Sequence, residues 1–282
     1  MSTPALPRSR AAVESVGAVF DARHRTGSTN ADLLAAAADL PDGSVVVTLD
    51  QTAGRGRLDR SWSAPAGETL AASVLVRAAL DDRDRGWLPL VAGATMRDAV
   101  AAVVGAGPGT GARVAEPSAA SRPEPGRRVL VKWPNDVLVD GRKVCGILCQ
   151  VAPDGSVVVG AGVNLTIPAD RLPTPTSTSL AVAGATADAP DLADAVLSAF
   201  WSDLREAVVA LVAGGAAAET VRSHVRAGCG TIGTRVRLEL PDGSAVEADA
   251  IGIDDDGRIT IRDRDGSVRG VAVGDVTHLR YA

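Results

Sequence analysis

From residue 129 to residue 164 the chain reads VLVKWPNDVLVDGRKVCGILCQVAPDGSVVVGAGVN, and this stretch restricts the fold more than any other. Three runs rich in β-branched and apolar residues, VLVKW (129–133), DVLVDGRKVCGILCQV (136–151) and SVVVGAGVN (156–164), predict three consecutive strands. Asp140-Gly141 supplies a hairpin turn within the second run, and Pro153-Asp154-Gly155 turns the chain before the third. Strands joined this tightly need other elements to cover them.

Those elements are legible on both sides. Residues 30–40, NADLLAAAADL, have helix-forming composition, with Ser28, Thr29 and Asn30 as capping candidates. SVVVTLD (44–50) and ETLAASVLVR (68–77) read as strands, residues 87–104 carry apolar residues at helical spacing, and two helices fill 190–227. Residues 105–127 are rich in Gly, Pro, Ser and Ala without periodicity and read as a flexible surface insertion. From Cys229 onward the texture changes to short strands joined by PDG, DDDG and RDG turns, which predicts a small β-barrel of about 50 residues. The expected division is therefore 1–228 and 229–282.

The formal net charge is -5 with acids and bases interspersed, so the chain lacks the basic face that non-specific nucleic-acid binding needs. Cys145 and Cys149 lie about 13 Å apart along one strand, too far for a disulfide, and Cys229 is the only other cysteine. Reduced, buried thiols in a cytoplasmic protein are the expectation. The N-terminus shows no signal-peptide pattern, and apolar runs such as AAVVGAG fall short of a membrane span, so no membrane partner is expected.

Four motifs could carry chemistry. Lys132 and Lys143 are the only lysines among 29 basic residues, and Lys132 stands in Lys-Trp-Pro-Asn-Asp, where Pro134 breaks the strand and Asn135 and Asp136 shape the bend. A lysine is a compact ammonium on a flexible stem, suited to a small anionic group that a planar guanidinium would crowd. Upstream, GRGRLDR brings Arg55, Arg57 and Arg60 together while Gly54 and Gly56 free the backbone to approach a phosphate or carboxylate. It matches neither a Walker loop nor a dinucleotide fingerprint. Gly160-Ala-Gly-Val-Asn164 ends a strand with room for a flat ligand, and Gly27-Ser28-Thr29-Asn30 places hydroxyls and an amide at a helix start. Each has a plainer reading: a solvated turn, a core Trp133, a bulge and an ordinary cap.

Taken together and in order, GSTN, QTAGRGR with a following Trp, KWPND, GRKVCGIL and GAGVN resemble the catalytic domain of biotin protein ligases, and the tail resembles that family's SH3-like C-terminal domain. The resemblance covers residues 27–282 and implies an α/β (α+β) fold on a mixed sheet. It implies an enzyme that joins biotin to ATP as biotinyl-5′-AMP and then biotinylates one lysine of a biotin carboxyl carrier protein. Activation is chemically required, because a carboxylate does not acylate an amine at neutral pH and two anions must be held together while charge moves onto phosphate.

On the matching positions the resemblance implies that Lys132 and Arg57 are catalytic. Biotin falls to Ser28, Thr29, Asn30, Gln51, Gly54, Arg55, Gly56, Lys132 and Gly146, with Ser28, Thr29 and Gln51 on the ureido head. ATP falls to Arg55, Arg57, Trp62, Asn135, Asn164 and Arg280. Mg2+ is expected on the ATP phosphates, with no protein ligand named. Lys143 receives no catalytic role. The expected assembly is a monomer or weak homodimer.

The sequence departs from the family pattern in three places. Leu58 and Asp59 replace a cation and a glycine in the arginine loop, Gln150 stands where a Glu is frequent, and only 27 residues precede Ser28, too few for the DNA-binding domain of members that also repress transcription. A lipoate or octanoate ligase would share the fold but needs an apolar tunnel. A non-enzymatic biotin sensor is the other alternative.

Overall fold

A computed structural model describes residues 3–57, 60–62, 65–105, 127–239 and 244–272, and the backbone of 275–278. The chain opens with α1 (Pro7–Glu14), β1 (Phe20–Arg23), α2 (Thr29–Ala36) and β2 (Val45–Thr48). A short hairpin, β3 (Gly54–Arg55) with β4 (Ser61–Trp62), precedes β5 (Thr69–Val76) and the long α3 (Asp82–Gly105). Then come β6 (Val129–Lys132), β7 (Asp136–Val139), β8 (Arg142–Val151) and β9 (Val157–Asn164), followed by α4 (Ala189–Ala213) and α5 (Gly215–Gly228).

Seven of these strands form one mixed sheet in the order β1-β2-β5-β9-β8-β7-β6, in which β1 runs parallel to β2 and the other neighbours are antiparallel. Where three consecutive strands were expected after residue 129 there are four. Pro134 ends β6, and Asp140 and Gly141 take positive φ in the two-residue turn between β7 and β8.

Alternation explains how both faces become buried. Val45 and Val47 of β2 and Val157 and Val159 of β9 join the main core under α3 and α4, while Val46 and Val158 point the other way and meet Leu33 of α2. Helix α3 is long and apolar enough to cross a bilayer by length and composition, yet Trp87, Met96 and Val100 are fully buried among other core side chains. It starts at Asp82 rather than at Trp87, because its first turn is polar and is marked by Asp81, whose Oδ1 accepts from the Asp84 N–H at 2.7 Å. The 105–127 insertion falls almost wholly outside the described residues.

The tail forms β10 (Thr234–Glu239), β11 (Ala245–Ile253), β12 (Ile259–Arg262), β13 (Val268–Val271) and β14 (Asp275–His278). The expected closed barrel is, among the described residues, an open antiparallel sheet in the order β13-β12-β11-β10-β14. A register shift between Ala250 and Gly252 disturbs the β11–β12 pairing, and the four-residue strands β13 and β14 share no ladder with each other. Its 254–257 turn docks on the first body: Trp87 Nε1 donates to Asp255 O at 2.7 Å and Trp133 Nε1 to Gly257 O at 3.3 Å. Trp133 is thus a core residue, while Lys132 beside it faces a cavity.

Candidate active site

The cavity, about 670 Å3, lies over β8 and β9 between the start of α2, the arginine loop and the Lys-Trp-Pro-Asn-Asp bend. Its two ends differ in chemistry.

At the neutral end Ser28 caps α2, its Oγ accepting from the Ala31 N–H at 3.4 Å. The Thr29 N–H donates to Gln51 Oε1 at 2.9 Å. Ser73 Oγ, fully buried on β5, stands 2.8 Å from Thr29 Oγ1 and 2.6 Å from Asn30 Oδ1. The Asn30 amide donates to Leu148 O at 3.1 Å and to Gln150 Oε1 at 2.8 Å. Gln150 therefore accepts a hydrogen bond in the position where the sequence departed from a carboxylate. A Cβ at Gly160 would lie 2.1 Å from Asn30 Oδ1, so this glycine makes room for the Asn30 amide rather than for a flat ligand.

At the charged end Lys132 closes β6 and faces Asp136 across the β6–β7 ladder, its Nζ 3.9 Å from Asp136 Oδ2. Lys143 Nζ lies 2.6 Å from the other oxygen, Asp136 Oδ1, and 5.6 Å from the centre of the Trp62 ring. Two ammonium groups thus share one carboxylate, leaving one positive charge uncompensated within the cluster. Lys143, expected to have no catalytic role, lies in the cavity wall. Strict alternation would set Lys143 and Gly146 on opposite faces. A bulge between Val137 and Leu138 pairs Leu138 with Lys143 while Val137 pairs with Cys145, and this brings Lys143 Nζ to 3.2 Å from a Cβ built at Gly146.

The arginine loop bridges the ends. Gly54 is buried behind the cavity, where a Cβ would meet Gln51 Nε2 at 2.6 Å and Trp62 O at 2.8 Å; Arg55, Gly56 and Arg57 line the wall. Arg57 Nη1 donates to Asn135 Oδ1 at 3.4 Å, and Asn135 Nδ2 to Ile147 O at 2.8 Å. The Trp62 indole lies over Gly162, where a Cβ would come within 2.8 Å of the ring, and its buried Nε1 has no hydrogen-bond partner among the described residues.

Ser28, Thr29, Asn30, Gln51, Arg55, Gly56, Arg57, Trp62, Lys132, Asn135 and Gly146 thus converge on one cavity. Asn164 does not line it; it is 2% exposed, and its Nδ2 donates to Thr178 O at 2.9 Å, bracing the segment after β9. Leu58, Asp59 and Arg280 lie outside the described residues. Sequence reasoning missed Ser73, Asp136 as the shared counter-charge, and the wall built by Thr174, Thr176 and Ser177, which no motif marks. Among the described residues no group of three His, Cys, Asp or Glu gathers that could hold a metal ion.

Comparison with known proteins shows the family and the fold. Residues 22–166 match the profile of the Biotin/lipoate A/B protein ligase family and residues 231–279 that of the Biotin protein ligase C terminal domain. The chain belongs to the Biotin/lipoate A/B protein ligase family, on the biotin protein ligase side. It is 40% identical over 264 residues to the biotin–[acetyl-CoA-carboxylase] ligase of Mycobacterium tuberculosis, covering 93% of this chain and 89% of the relative. It is 36% identical over 145 residues to the enzyme of that name from Paracoccus denitrificans, covering 50% and 52%. Among solved structures, the biotin protein ligase of Aquifex aeolicus in complex with biotin and ATP superposes with a TM-score of 0.66 at 21% identity, over 93% of this chain and 98% of that one. The Leishmania major biotin protein ligase bound to biotinyl-5-AMP gives 0.57 at 23% identity, over 90% and 97%. At these identities the two structures speak for the fold.

Proposed function

We propose that this chain is an ATP-dependent biotin protein ligase that makes biotinyl-5′-AMP and transfers biotin to one lysine of a biotin carboxyl carrier domain of an acyl-CoA carboxylase. The observation that carries the proposal is the pairing of a neutral hydrogen-bonding end with a two-lysine end in one cavity. An apolar tunnel, which a dithiolane or alkyl chain would need, is not what Ser28, Thr29 and Gln51 offer.

In this reading the ureido head binds at Ser28, Thr29 and Gln51, and the valerate tail passes Gly146 toward Lys132 and Lys143. The carboxylate oxygen attacks the α-phosphorus of ATP and pyrophosphate leaves. The two ammonium groups hold the reacting anions together, and Asp136 keeps them apart from each other at fixed positions. Arg57, oriented by Asn135, adds a cation over the phosphate, and Arg55 closes the loop above it. Trp62, in the cavity wall, offers an indole face to the nucleotide. Asn164 acts by bracing the wall, and Arg280, outside the described residues, is assigned to ATP by the family resemblance alone. The acceptor amine then attacks the acyl carbon of the anhydride, losing a proton as AMP departs.

Mg2+, if it arrives with ATP, would supply charge neutralisation on the phosphates beside Lys132, Lys143 and Arg57. Asp136, the carboxylate among the lysines, is already shared by two cations, so no step is assigned to an ion held by the protein alone. The working unit is a cytoplasmic monomer or weak homodimer without nucleic-acid or membrane partners, divided after Gly228 into catalytic and SH3-like parts. Purified chain, ATP, Mg2+, biotin and a carrier domain should give a carrier one biotinyl group heavier by intact mass spectrometry. The same carrier with its acceptor lysine changed to arginine should stay unmodified, and labelling of that variant at equal rate would refute a single-lysine ligase.

A further inference from the structure

Hydroxyl and amide protons at the neutral end can be assigned from two backbone atoms. Leu148 O can only accept, so the Asn30 group 3.1 Å from it is the NH2 and the group facing Ser73 is the acceptor Oδ1. The Thr29 N–H can only donate, so the Gln51 atom 2.9 Å from it is Oε1, and Gln51 Nε2 is the end left for a ligand.

Ser73 has a single hydroxyl proton and two oxygen neighbours, at 2.6 Å from Asn30 Oδ1 and 2.8 Å from Thr29 Oγ1. Asn30 Oδ1 has no proton to share, so the contact with it needs that of Ser73. The Ser73–Thr29 contact then needs the proton of Thr29, whose other neighbour, Gln51 Oε1, is farther away at 3.3 Å. Gln51 Oε1 already accepts the Thr29 N–H at 2.9 Å, so the nearer Ser73 oxygen takes the Thr29 proton and turns it away from the cavity.

We propose that Ser73 is a specificity-determining residue that never touches the substrate: it leaves Thr29 Oγ1 with lone pairs only toward the cavity, so the bound head must bring an N–H. With Gln51 presenting N–H groups, the wall matches one N–H and one carbonyl of a cyclic urea and disfavours any head that has only acceptors at the Thr29 position. Ser73 does not line the cavity and is fully buried, so it is a positioning residue acting through Thr29. Gln150 supports the same polarity by accepting from the Asn30 amide. This inference rests on the biotin reading.

The test compares biotin with an isostere whose two ring N–H groups are replaced by ring oxygens, in wild type and Ser73→Ala, by pyrophosphate release. Wild type should prefer biotin by about a hundredfold or more in kcat/KM. In Ser73→Ala the Thr29 hydroxyl keeps only the longer 3.3 Å contact to Gln51 Oε1 and can turn to donate to the isostere, so the preference should narrow by about tenfold, through a higher KM for biotin and a lower one for the isostere, while the KM of ATP stays put. An equal loss for both ligands, or a rise in the KM of ATP as large as that of biotin, would overturn the inference and leave the ligase reading standing. A wild type inactive with biotin would remove both. Should Ser73→Ala fail to fold, Ser73→Cys keeps the volume with a weaker donor, and the same narrowing is required of it.

Discussion

The two ends of the cavity solve different problems with different materials. At the neutral end, polar atoms are held by neighbours until each has one orientation: Thr29 by Ser73 and Gln51, Asn30 by Ser73, Leu148 and Gln150. At the charged end Lys132 and Lys143 lean on a single carboxylate, partly in reach of solvent, and keep donors free. Selection of a head group needs fixed polarity, because a mismatched buried donor or acceptor is costly to leave unpaired. Activation of a carboxylate needs charge that can follow the reacting atoms. The division teaches that residue identity within the cavity is dictated less by polarity than by whether the group must stay or move.

The comparison can be broken at several points. The largest effect is expected at the charged end. Lys132→Ala or Lys143→Ala should lower pyrophosphate release by about 10²–10³-fold with little change in circular dichroism, and normal adenylation by either variant would remove that lysine from the mechanism. Next comes Arg57→Gly, where biotinyl-AMP should escape and label free amines on bystander proteins, since the loop loses its tie to Asn135. Selectivity unchanged from wild type would show that the loop closes without it. A smaller effect is expected where the ends are kept apart. Gly160→Ala forces a Cβ onto the Asn30 amide, so the KM of biotin should rise and thermal stability should drop by about 1–3 kcal/mol, with the KM of ATP little altered.

The smallest effect belongs to the strand beneath both ends. Burial pushes the Cys149 thiol up from 9.0 to about 12, and Cys145 on the same strand is pushed up further by the same cause. The folded chain keeps these protons at a pH where the unfolded chain releases them. Stability should therefore hold below pH 9 and fall above it, by about 1.4 kcal/mol per pH unit for each thiol until the folded value is reached. Denaturant titrations from pH 8 to 10.5 on wild type and Cys149→Ser read this directly, the variant giving the shallower fall.

Much of this arrangement is legible in the sequence, and the illegible part has physical causes. Lys-Trp-Pro-Asn-Asp, the arginine loop and Gly-Ser-Thr-Asn are contiguous, so their residue types declare themselves before any fold is known. The alternation of SVVVTLD and SVVVGAGVN shows sheet, and the turns that join the strands show hairpins. Ser73 does not declare itself, because a serine in LAASVLV reads like any other small strand residue until β5 is seen to run beside α2. Lys143 was underrated because its face is decided by a bulge, which leaves no mark in a period-two pattern. The glycines of GAGVN suggested a ligand against backbone, whereas the space they leave is taken by Asn30 and Trp62. Within the Lys-Trp-Pro-Asn-Asp motif the plainer reading holds for Trp133, a core residue that anchors the tail's 254–257 turn one residue from the lysine that faces the cavity. The open sheet that the described residues form in place of a closed barrel reflects a tertiary choice that the turn signals do not encode.

The most direct test of the whole account is pyrophosphate release from ATP and Mg2+ with biotin, lipoate and octanoate supplied in parallel. Release with biotin alone is the expected result, with the neutral end choosing the ureido head and the charged end activating its carboxylate. Release with lipoate or octanoate at a comparable rate would contradict it, showing that the lysine end works but that Ser28, Thr29 and Gln51 do not select.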